Sequence, residues 1–113
     1  MTDVRTETAD TLRGISAGEP SVLDGLLGAR RENLQDSGLG VREHALVTVA
    51  ALIAVDAPPA SFLAHVAAAL EAGATPEDLL GVLIAVSPQV GMPKVVAAAP
   101  ELMLALGLVA VEP

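Results

Sequence analysis

From Val41 onward the chain is a succession of apolar runs at helical spacing, punctuated by proline and glycine, with essentially no strand-type alternation. That pattern confines the fold to the all-α class. The longest strong run, Ala45–Val55, has eleven residues and ends at Asp56. A membrane-spanning helix needs about 20 apolar residues. Later runs are broken by Ser87-Pro88-Gln89, Pro93-Lys94 and Pro100-Glu101. The N-terminus shows no basic start followed by an apolar core, so it does not read as a signal peptide. The expectation is a soluble, cytoplasmic chain with no membrane partner. Its excess apolar surface is expected to enter subunit interfaces.

Local signals place the helices. Residues 1–20 are polar and read as an N-terminal arm, mobile or a short, loosely attached helix, ahead of a single domain over 21–113. Ser21 and Asp24 resemble a capping box. Leu23, Leu26, Leu27, Ala29 and Leu34 then recur at helical spacing until Ser37-Gly38. A second helix spans about Val41–Val55 and is apolar nearly all round, so it is expected to be central and buried. Pro58-Pro59 open a third helix, which Gly73 ends. Thr75-Pro76-Glu77-Asp78 is the strongest start signal: an N-cap, a proline at the first helical position, and two acids near the positive end of the dipole. That helix should run to Pro88. A fifth begins near Pro93, kinked or split at Pro100. The apolar tail Gly107–Val111 is expected to dock on the core or on a neighbour. Ala64, Ala68 and Ala72 form a small-residue face that would admit another helix closely; equally, alanine is simply a good helix former.

Composition excludes several function classes. The 113 residues carry 14 acids against 6 bases, net −8, which argues against nucleic acid as a partner. One Phe is the only aromatic residue, so base-stacking platforms are absent. There is no Cys, which removes disulfides, thiolate metal sites and any Cys-dependent peroxidase. No His-x-x-x-His or Glu-x-x-His pair surrounds His65, and His44 and Glu43 are adjacent and point apart on a helix. Neither a metal nor an organic cofactor is expected.

His65 is the residue most suited to chemistry. It lies in Phe62-Leu-Ala-His-Val-Ala-Ala-Ala, with Ser61 one turn earlier on the same face. A neutral imidazole can accept or donate a proton. The alternative is a structural histidine, hydrogen-bonded to a carbonyl or to Ser61. His44, beside Arg42 and Glu43, reads as a solvated surface residue.

Three segments together resemble the carboxymuconolactone decarboxylase family, within the alkylhydroperoxidase D-like superfamily. They are the apolar helix from Leu39-Gly-Val-Arg-Glu-His, the stretch from His65 through Gly73 to Thr75-Pro-Glu-Asp, and the Gly91-Met-Pro93 turn. The resemblance covers about residues 21–106. It implies a compact fold of about five or six helices, assembly into trimers or hexamers, and pockets near the His-bearing helix. The peroxidase branch has a Cys-x-x-Cys pair seven and four residues before the His; Pro58 and Ser61 stand there in this chain. That branch's proton-relay Glu falls on Ala45, and the decarboxylase branch's aromatic before the Gly-x-Pro turn falls on Gln89.

Two functions follow. In one, the chain is a cofactor-free lyase or isomerase of a small lactone or carboxylated metabolite. His65 would be its acid–base group, Ser61 and Gln89 would orient the substrate, and Arg42 or Lys94 would bind its negative charge. In the other, it is a non-catalytic oligomeric binding or scaffold protein that kept the fold and lost the site.

Overall fold

The computed structural model describes residues 3–26 and 30–108, and all of their regular structure is helical. The helices are α1 (Val4–Ser16), α2 (Pro20–Leu26), α3 (Arg30–Ser37), α4 (Val41–Ala54), α5 (Pro59–Glu71), α6 (Pro76–Val90) and α7 (Met92–Ala105). They divide into two compact units at Leu39/Gly40.

In the first unit, the polar N-terminal stretch forms α1, capped by Asp3, whose carboxylate accepts from the Arg5 N–H. Gly14 lets α2 approach, because a Cβ there would lie 2.8 Å from Val22 Cγ2. The helix expected after Ser21 is described on either side of residues 27–29, as α2 and α3; the positions expected for Leu27 and Ala29 lie outside the described residues. Ser21 is not a cap: α2 starts one residue earlier, on Pro20, with Val22 and Leu23 N–H groups donating to the Glu19 carbonyl.

The second unit is the four-helix core. α4 packs against α5, α6 and α7, α5 and α6 both pack on α7, and the shared interior is aliphatic around one ring, Phe62. α4 is therefore central, as its composition suggests. Only Val49 and Ile53 are buried on it, however, and Val47 and Val55 remain exposed.

The helix ends explain the connections. α5 closes in a Schellman motif: Ala74 N–H donates to Ala69 O at 2.9 Å, Gly73 N–H to Leu70 O at 3.1 Å, and Gly73 has φ 99°. α4 closes the same way, with Ala57 N–H on Leu52 O at 3.0 Å. There the left-handed position is held by Asp56, at φ 53°. Thr75 caps α6 as expected: its hydroxyl accepts from Asp78 N–H at 3.1 Å, and Asp78 returns the bond to Thr75 N–H at 2.9 Å.

The break expected at Pro88 is absent, and Pro100 does not split its helix. α6 runs through Pro88 to Val90, and α7 runs through Pro100. Pro88 has no N–H for the carbonyl of Ile84, one turn back. The Ser87 hydroxyl supplies the missing bond, donating to Ile84 O at 2.7 Å. Pro100 and Val96 are both exposed, so solvent can satisfy the carbonyl that Pro100 leaves open. The true break is Gly91, whose φ 89°, ψ 159° ends α6 and starts α7 in one residue.

Candidate functional site

α5 carries the His65 face. Phe62, Val66 and Ala69 point into the core, and Ser61, His65, Ala68 and Ala72 form a half-buried strip beside them. His65 thus sits at the edge of the core. Among the described residues, no group hydrogen-bonds its ring or the Ser61 hydroxyl, so the bond expected between the two is not formed.

The other nominated side chains lie elsewhere, each engaged locally. Arg42, in the first turn of α4, donates to Asp78 Oδ1 at 2.8 Å and to Glu43 Oε2 at 3.0 Å. These bonds, Asp78's first, favour the charged guanidinium and raise its pKa. The Asp78 carboxyl is pushed below the usual carboxylate range, chiefly by the Thr75 backbone N–H and next by Arg42. Lys94, in the first turn of α7, donates to Asp56 Oδ2 at 2.6 Å. Gln89 is exposed near the end of α6. In its hydrogen-bonding orientation, its amide nitrogen donates to Ala85 O at 2.8 Å and Val86 O at 3.1 Å, on its own helix.

The cavities of this unit include two formed by described residues. The smaller, about 210 Å³, is bounded by Asp56, Phe62, Lys94 and Glu101. The larger, about 390 Å³, lies between α6 and α7 and has Glu77 as its only charged lining residue. His65, Ser61, Gln89 and Arg42 line neither; Lys94 alone borders one. No three His, Asp or Glu side chains among the described residues are grouped to hold a metal ion. No described helix is long and apolar enough to cross a membrane.

The sequence reading missed Asp56 and Asp78 as partners of the two core cations. Asp78 was visible as a first-turn acid. Asp56 gave no local signal, because it pairs with a residue 38 positions away.

The geometry leaves a four-helix domain with a histidine one turn after Ser61, a Gly-capped helix end at Gly73, and a glycine-proline turn at Gly91-Met-Pro93. The carboxymuconolactone decarboxylase family model matches residues 20–102. The chain belongs to the carboxymuconolactone decarboxylase family. No curated protein and no solved structure matches it. Within the family it is a Cys-free member, with Pro58 as the N-cap of α5 and Ser61 in the first turn of that helix.

Proposed function

We propose that this carboxymuconolactone decarboxylase family member is a self-associating binding protein and not a catalyst. The observation that carries this reading is the dispersal of its polar groups. Arg42 and Lys94 are each neutralised by a carboxylate, Gln89 is folded onto its own helix, and His65 lies outside both cavities. A catalytic site needs such groups to converge on one space. Self-association is supported by the outer face of α5, where Leu63 (54% exposed), Ala67 and Leu70 (38% exposed) form a stripe at helical spacing. Trimers or hexamers are the expected states. The test is turnover of lactones and β-keto acids by the full chain, with sedimentation alongside. No turnover, together with a multi-subunit mass, supports the reading; turnover abolished by His65→Ala at unchanged mass overturns it.

The second reading is a cofactor-free lyase or isomerase acting on a small lactone or carboxylated metabolite. One observation favours it: the His65 ring is half-buried with no hydrogen-bond partner among the described residues, which leaves both nitrogens available for proton transfer. A second copy of the chain would then have to bring the substrate-binding groups to it.

A further inference from the structure

The larger cavity is lined by none of the five nominated side chains. It is an open groove of about 390 Å³ formed by the first half of α6, the second half of α7 and the turn after α7. Leu83 and Leu102 make its floor and belong to the core; Leu80, Met103 and Leu108 stand exposed around it. A concave apolar surface of this size falls in the range of small-molecule sites. At roughly 30 Å³ per water-sized group it takes about a dozen non-hydrogen atoms.

The rim fixes the polarity of the occupant. Glu77, in the first turn of α6, has no ion pair among the described residues. The only Lys and Arg of residues 40–108, Arg42 and Lys94, are committed to Asp78 and Asp56, so no such side chain in this helical unit pairs with Glu77. An anionic head would find little welcome there. Pro76 has no N–H, and the N–H groups of Asp78 and Leu79 are bonded to the Thr75 hydroxyl and carbonyl, which leaves the N–H of Glu77 itself, beside its own carboxylate. The chain's net charge of −8 repels anions as well.

We propose that the groove binds an aliphatic ammonium compound, its hydrocarbon tail along Leu80, Leu83 and Met103 and its cationic head at Glu77. This names a ligand for the binding protein proposed above and rests on that reading, but not on self-association.

Calorimetric titration of the full chain with decylammonium, decanol and decanoate, below their micellisation concentrations, tests it. Decylammonium should bind about five-fold more tightly than decanol, the value of one exposed ion pair, and decanoate least. Glu77→Gln should erase the advantage of the ammonium and leave decanol unchanged, while Glu71→Gln, at an exposed position that does not line the groove, should leave the order of the three probes unchanged. Ala99→Leu, which fills the groove, should weaken all three; Leu80→Gln, at a position 56% exposed, should do the same without touching the core. Sedimentation of the same samples shows whether assembly persists when binding is lost. Equal losses in Glu77→Gln and Glu71→Gln, tightest binding by decanoate, or no binding by any probe would each overturn the proposal.

Discussion

Asp78 holds two helix starts together: one carboxylate oxygen accepts from the Thr75 N–H at the head of α6, and the other from Arg42 in the first turn of α4. Because both bonds favour the ionised carboxylate, its folded pKa lies below its unfolded one. The stability it contributes is fully present above the ordinary carboxylate range and is lost as pH falls through the lowered folded value. Asp78→Asn should therefore flatten the acid limb of the stability–pH curve below about pH 4. Thermal melts of both proteins across the acidic range measure this, and parallel limbs would refute it.

Gly91 and Gly81 should respond to alanine with opposite signs. Gly91 stands at φ 89°, ψ 159°, a region essentially reserved for glycine, although a Cβ there would meet only Pro93 Cδ at 3.9 Å. Gly91→Ala should cost about 1–3 kcal/mol from backbone strain alone. Gly81 is helical, exposed and has open space around its missing Cβ. Gly81→Ala should stabilise by about 0.5–1 kcal/mol. Denaturant unfolding of the two variants decides it; a shared sign would refute the assignment.

Ser87 and Pro88 should be energetically coupled. If the Ser87 hydroxyl stands in for the missing Pro88 N–H at Ile84 O, Ser87→Ala should destabilise by about 1 kcal/mol. In a Pro88→Ala background the backbone N–H returns, and Ser87→Ala should be nearly neutral. A double-mutant cycle by chemical denaturation reads the coupling; additive costs would show that the hydroxyl has no such role.

Much of the second unit was legible because its helix boundaries are written in local chemistry. Thr75-Pro76 starts α6, Gly73 ends α5 and Gly91-Met-Pro93 separates α6 from α7, each through bonds spanning a few residues. Pro88 misled because a nearby hydroxyl supplies what proline lacks, and Pro100 leaves α7 unsplit because its exposed flank does the same. Asp56 filled a left-handed helix end where glycine is usual, so the close of α4 carried no glycine signal. The candidate site was less legible. Arg42, Lys94 and Gln89 were nominated by residue type, but their commitments to Asp78, Asp56 and helix carbonyls depend on tertiary placement or on side-chain geometry. The position of His65 at the core's edge follows from its spacing to Phe62, Val66 and Ala69, and that much the sequence did encode.

The central claim, that the outer face of α5 joins copies of this chain, is tested most directly by sedimentation equilibrium of the full chain and of Leu63→Asp. The exposed position of Leu63 lets the substitution leave the fold intact. The account predicts a multiple of 11.4 kDa for the natural chain and a shift toward 11.4 kDa for the variant. A natural chain that sediments at 11.4 kDa, or an assembly indifferent to Leu63→Asp, would contradict it.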